Sequence, residues 1–317
     1  MAFQYLLYDV FTRDALTGNQ LAVFADARAV PADSMQRIAR ELNLSETTFV
    51  LPAERDDTDV RMRIFTPAVE LPMAGHPTIG STFALARSGV IASGRTQFTF
   101  GLNVGPTPVE LEWESADVRF VWMTQGRPAF GRVVDRAFVA SALGLAIDDV
   151  RADLPVEEVS CGLPYLIVPL RDTAAVTRAV ADSGALRRLG DAIGAALPVY
   201  LFSDAGAATF ALRASVPGER PRPTTDTAPE YLCRMFAPGL GVLEDPATGS
   251  AAGPLGSYLV RHAQVSAELA RRIVIRQGVS MNRPSVLHVS VDGGSGAITL
   301  VRVGGTAVLV GRGELYL

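Results

Sequence analysis

The chain of 317 residues contains no lysine; all 29 of its basic residues are arginines. Without lysine there is no Schiff base, which excludes pyridoxal-phosphate chemistry and lysine-dependent aldol chemistry. A P-loop is excluded as well, because its lysine must reach the nucleotide phosphates. Cysteine is scarce. Cys161 and Cys233 make no disulfide framework, and neither stands at metal-ligand spacing from a histidine. No apolar run reaches the ~18 to 20 residues that span a bilayer. The net charge of −4 comes with no basic stripe, so neither a nucleic-acid nor a membrane partner is expected. The opening MAFQYLLYDVFT has no basic leader and carries Asp9 inside its apolar stretch, which points to a cytoplasmic protein.

Apolar residues make up 48% of the chain, enough for a real core, and the length favours two domains. In the first half, strands are expected over 3–11, 21–25, TTFVLP and DVRMRIFTP, with a helix over 31–44 capped by Asp33 or Ser34. A helix of small apolar residues follows GHPTIGS, and strands follow at about 96–101, 107–113 and 118–123. GRPAFGRV (126–133) reads as a link, which sets the domains at 1–126 and 127–317, with the last strand able to pack on the first domain. The second half shows helices near 135–144 and 173–194, and strands at 163–169, 198–203 and 208–216. PGERPRPTTDTAPE (217–230) reads as a loop. DPATGS then leads into a second helix of small residues, AAGPLGSYLVRH.

Pro77, Gly80 and Ser81 match Pro246, Gly249 and Ser250 at a constant spacing of 169 residues. Each half thus reads as strands around one buried helix entered through a Pro-x-x-Gly-Ser turn, an internal duplication. Helix N-termini present unpaired N–H groups and partial positive charge, which suits a carboxylate-bearing substrate. Gly75, Gly80 and Gly249 would let the backbone approach a ligand, and Pro77 and Pro246 fit a first helical turn.

Proton chemistry needs side chains, and few are placed for it. His76 lies at a helix entrance; His262 beside Arg261 and His288 in the alternating LHVSV read as structural. Asp245 is either a functional carboxylate or a helix N-cap. Ser45 and Glu46 stand between a helix and a strand, with Leu44, Phe49 and Val50 around them. A carboxyl in apolar surroundings holds its proton to higher pH and can serve as acid and base in turn.

TGNQLAVF (17–24), SETTFV (45–50), ELPMAGHPTIGS (70–81) and EDPATGSAAGPL (244–255) together resemble the phenazine-biosynthesis isomerase (PhzF) family, and GLPYLIVPL, RMFAP and QGVSMNRPS follow in the expected order. The resemblance covers essentially the whole chain. It implies an α+β, diaminopimelate-epimerase-like fold: two similar domains, each a barrel-like β-sheet wrapped around a central α-helix, with the active site between them. It also implies a cofactor-independent isomerase, with no metal, that commonly forms homodimers. Glu46 would shuttle a proton between two substrate carbons. His76 and Asp245 would polarise the substrate or relay protons, Ser45 and Ser250 would hydrogen-bond, and Asn19 would order the site. Asn282 stands where the family commonly has glycine, and Asn tolerates left-handed backbone. Two other readings remain: a two-thiol racemase or epimerase on the same fold, and a small-carboxylate binder without catalysis.

Overall fold

The apolar run at the start of the chain is strand β1 (Ala2–Val10), paired antiparallel with β2 (Asn19–Phe24). The computed structural model describes residues 2–195, 197–206, 228–294 and 296–317. These form two units, one of residues 1–124 and 303–317, the other of residues 125–302. The expected strand at 208–216 lies outside the described residues, as does the expected loop over 217–230 apart from its last three positions.

In the first unit, β2 runs parallel to β3 (Glu46–Pro52), which pairs antiparallel with β4 (Val60–Phe65). β4 takes the short β5 (Glu70–Leu71) antiparallel and β6 (Gln97–Leu102) parallel. β6, β7 (Gly105–Glu114) and β8 (Asp117–Thr124) form a meander. The strand at the C-terminus, 307–316, adds antiparallel to β1. Helix α1 (Ala32–Leu42) sets Met35, Ile38 and Ala39 against Phe24, Phe49 and Phe65 on one face of the sheet. Its N-cap is Pro31, and no side chain caps it, so neither Asp33 nor Ser34 plays that part.

The other face holds α2 (Gly75–Arg87), with every residue from Gly75 to Leu85 buried. GHPTIGS is therefore the opening of the helix itself and not a turn before it. A helix can be enclosed this tightly only if its side chains are small. At Gly80 a Cβ would come within 2.6 Å of Leu21 Cδ2 and 2.7 Å of Val10 Cγ2. That glycine admits the sheet, not a ligand.

The second unit contains β9 (Ala129–Val134), α3 (Arg136–Ala142), β10 (Val156–Ser160), β11 (Pro164–Pro169), α4 (Thr173–Arg178), α5 (Ser183–Ile193) and β12 (Val199–Asp204). β13 (Glu230–Ala237), β14 (Val242–Asp245), α6 (Gly249–Arg261), β15 (Ile273–Gln277) and β16 (Ser285–Gly294) follow. Residues 129–133 of the expected link at 126–133 are thus part of strand β9, bonded to β10. Asn282 adopts the left-handed backbone expected of it, at φ 56°.

The duplication is real, but in another register. β1 to β7 pair as antiparallel, parallel, antiparallel, antiparallel (β5), parallel (β6) and antiparallel (β7). β10 to β16 repeat that series in order, with β14 in place of β5. Opposite partners fix the residues: Ile64 faces Leu71, and Met235 faces Asp245. Both buried helices are 13 residues long and begin at Gly75 and Gly249, 174 positions apart (249 minus 75) rather than 169. On that register Glu70-x-Pro72-x-x-Gly75 lies on Glu244-x-Pro246-x-x-Gly249, while RIFTP (63–67) lies on RMFAP (234–238) at 171 positions (234 minus 63), the second copy having three more residues between this segment and its glutamate. Each copy builds the same clamp. Arg63 grips Glu70 with Nε–Oε1 2.9 Å and Nη2–Oε2 2.7 Å, over Phe65. Arg234 grips Glu244 at 2.8 Å on both nitrogens, over Phe236.

Candidate active site

In the first unit three candidates meet at the entrance of α2. Asn19 is the first residue of β2, Glu46 the first of β3 and His76 the second of α2. Strand alternation turns Glu46 and Thr48 towards α2 and Phe49 towards α1. Thr48 Oγ1 accordingly lies 2.9 Å from Ser81 Oγ. Glu46 Oε2 lies 3.2 Å from His76 Nε2, within ion-pair reach but off the alignment of a hydrogen bond. On the other side of the ring, Asn19 Nδ2 is 3.2 Å from His76 Nδ1. Gly75, next to His76, is buried as the first helical residue. Ser45 is partly buried just ahead of β3.

Burial dominates the electrostatics of His76. It pushes the imidazole from the usual 6.5 down to about 3, against the opposing pull of a backbone hydrogen bond with Gln20. His76 is therefore neutral at physiological pH, with one donor and one acceptor nitrogen. Glu46 keeps 14% of its side-chain surface exposed, whereas His76 keeps 3%. The carboxyl thus stands at the open edge of the pair.

In the second unit Asp245 ends β14, and Gly249 and Ser250 open α6, all three buried. Asp245 is not the helix N-cap; that position belongs to Thr248, and no side chain caps the helix. Pro246 lies outside the helix, whereas Pro77 is its third residue in α2. Thr248 Oγ1 donates to Asp245 Oδ2 at 2.6 Å. Gln277, at the end of β15, donates through Nε2 to Asp245 O (2.8 Å) and Thr248 Oγ1 (2.9 Å). Its Oε1 accepts from Thr248 N (3.2 Å) and Tyr200 OH (3.0 Å). Ser250 Oγ lies 2.6 Å from Tyr165 OH.

Tyr165, Thr248 and Gln277 escaped the sequence reading as site residues, although each sits in a stretch quoted there. A glutamine before a glycine, or a tyrosine in an apolar strand, carries no signal of its own without the partner it meets in space. The other two histidines are indeed elsewhere. His262 Nε2 lies 2.7 Å from Glu157 Oε2 at the end of α6, and His288 lies within β16.

Cys161 and Cys233 both belong to the second unit and are buried. Burial raises the Cys161 thiol to about 11 and the Cys233 thiol well above its usual range. Neither lies in the segments that open α2 and α6. Among the described residues, no group of three or more His, Cys, Asp or Glu is placed to hold a metal ion. No described helix is long and apolar enough to cross a membrane.

The family model described as phenazine biosynthesis-like protein matches residues 8–313. The chain is 36% identical over 316 residues to a trans-2,3-dihydro-3-hydroxyanthranilate isomerase of Pseudomonas chlororaphis, covering 99% of each. A solved PhzF-family phenazine biosynthesis protein of Bacillus anthracis matches all of both chains with a TM-score of 0.81 at 25% identity. A probable proline racemase of Agrobacterium radiobacter covers 99% of this chain and 93% of its own at a TM-score of 0.63. At 12% identity that likeness shows the fold alone, the diaminopimelate-epimerase-like arrangement of two α+β units. The chain is an isomerase and belongs to the phenazine biosynthesis-like (PhzC-PhzF) family.

Proposed function

We propose that this isomerase moves a proton between two carbons of a small, carboxylate-bearing unsaturated substrate, with Glu46 as the carrier. The observation that carries the reading is the Glu46–His76 pair. A carboxyl at the edge of the pair faces, at 3.2 Å, a buried neutral imidazole whose Nε2 has no hydrogen-bond partner among the described residues. Such a pair can handle a proton without a fixed charge on the ring.

Glu46 as carboxylate takes the proton from a carbon whose C–H bond is acidified by the adjoining unsaturation. The electron pair left behind spreads along the allylic system. Glu46, now the acid, returns the proton to a second carbon of the same system, so nothing is gained or lost overall. His76 holds or polarises the substrate as a neutral group, and Asn19 fixes its ring. The N-terminal N–H groups of α2 bind the carboxylate. Asp245, Ser250 and Ser45 serve the reaction as hydrogen-bonding or proton-relay groups. The reaction as written needs no metal or organic cofactor. A cytoplasmic homodimer is part of the same reading.

The name of the Pseudomonas relatives supplies the first compound to try, trans-2,3-dihydro-3-hydroxyanthranilate, which carries the required carboxylate and unsaturated ring. Steady-state turnover of that compound tests the proposal. Glu46→Gln keeps the shape and removes the base, so kcat falls by at least about a hundredfold. A Glu46→Gln variant within a few-fold of wild type would overturn the assignment.

A further inference from the structure

The two copies of the fold build the same turn before their buried helices, but with different interiors. The strand register places Leu71 on Asp245, and the helix starts place Ala74 on Thr248. In the first unit β4 aligns Arg61 with Gly101, and in the second β13 aligns Leu232 with Arg276. With RIFTP on RMFAP, this puts Leu102 on Gln277. The pairs Thr48–Ile64 and Tyr200–Met235 likewise put Thr48 on Tyr200. Where the second unit has Asp245, Thr248 and Gln277, the first has Leu71, Ala74 and Leu102, which are buried and apolar.

The clamp that shapes the turn is kept in both copies, Arg63–Glu70 and Arg234–Glu244. Turn and helix therefore form without the polar chain, which accompanies the aspartate alone. Its direction is set by donor counting. The Gln277 Nε2 protons go to Asp245 O and Thr248 Oγ1, and Thr248 is left one proton, which it gives to Asp245 Oδ2. Gln277 Oε1 is held in turn by Tyr200 OH and Thr248 N, which fixes the amide's orientation. Gln277 is fully buried, so loss of these bonds would leave its amide unpaired, with no water to replace them.

We propose that Gln277 and Thr248 are positioning residues that lock the Asp245 carboxylate, with one oxygen held by Thr248, for its work on the substrate. The proposal rests on the assignment of Asp245 above. Gln277 and Thr248 act through Asp245 and do not touch the reacting atoms.

The test is turnover of trans-2,3-dihydro-3-hydroxyanthranilate by Thr248→Val, which keeps the shape and removes the hydroxyl, and by Thr248→Ser, which keeps the hydroxyl. Gln277→Leu, the residue the first unit uses at this place, is the second probe. Thr248→Val and Gln277→Leu should lower kcat by about ten- to a hundredfold with KM little changed, the scale on which a misplaced group costs rate. Thr248→Ser should stay near wild type. In an Asp245→Asn background, Thr248→Val should cost less than about twofold. The same factor in both backgrounds, or a loss of thermal stability with kcat kept, overturns the proposal. Asp245→Asn at wild-type rate overturns it too, while an inactive Glu46→Gln beside it would leave the proton carrier standing. A readout independent of turnover is the pH midpoint of the Asp245 side-chain 13C signal. Thr248→Val should raise it by removing a donor to the carboxylate, and Thr248→Ser should not. An unmoved midpoint contradicts the proposal even if the compound is not a substrate.

Discussion

His76 links burial to chemistry. Its neutrality follows from desolvation, and the same desolvation makes the folded state depend on pH. The folded imidazole titrates near 3 and an unfolded one near 6.5, so the unfolded chain takes the proton first. This contribution to stability is fully present above about pH 6.5 and declines as pH falls, until it is gone near pH 3. In that window each unit of pH costs about 1.4 kcal/mol from this one group. Denaturant unfolding at pH 7 and pH 5 should show His76→Gln losing less stability on acidification than wild type. Equal losses would mean that the ring is protonated in the folded protein.

Glycines separate conformational need from spatial need at the scale of the element. Gly278 follows Gln277 at φ 74°, and a Cβ there would stand 2.2 Å from Arg283 O and 2.6 Å from Pro246 O. Both are backbone atoms and cannot step aside. Gly94 has a similar φ of 81° with nothing within 4 Å. Gly94→Ala should therefore cost only the left-handed penalty of about 1–2 kcal/mol, and Gly278→Ala clearly more. Chemical denaturation of the two variants measures the difference, and equal costs would show that the segment before α6 can shift. The clamps are unequal as well. Arg234 also donates to the carbonyls of Val176, Thr177 and Ala179 at the end of α4, whereas among the described residues Arg63 adds only Met35 Sδ beyond its glutamate. Arg234→Met should lower the melting temperature more than Arg63→Met, because it strands those carbonyls in a buried place.

Much of this was legible in the chain. Period-2 apolar alternation marked β4, and the mostly small, apolar residues after GHPTIGS and DPATGS marked the two enclosed helices. Glu46, His76 and Asn19 stood out by motif, and the structure brings those three together. The register of the duplication was missed because glycine, proline and serine recur by chance at any spacing. RIFTP against RMFAP was the better signal, since an Arg-x-Phe clamp on a later glutamate has a physical reason to be kept twice. The helix cap was misread at Asp33 and Ser34 because a cap depends on backbone angles that a side chain alone does not announce. The polar chain behind Asp245 was beyond reach. It joins residues 200, 245, 248 and 277, which only the pairing of β12, β13 and β15 brings together.

Across the whole molecule, one fold carries two sets of side chains. The first copy holds a carboxyl–imidazole pair, and the second holds an aspartate where its twin has leucine. The cysteines stand apart from both. A Cys161→Ala/Cys233→Ala protein should keep turnover within about twofold if it folds, and a dead but folded variant would revive thiol chemistry. The proposed isomerisation depends on Glu46 moving a proton between carbons. The direct measurement is NMR of trans-2,3-dihydro-3-hydroxyanthranilate incubated with the protein in deuterium oxide, wild type beside Glu46→Gln. Carbon-bound deuterium is expected with the wild type and none with the variant. Exchange that persists in Glu46→Gln would contradict it and move the base to another residue.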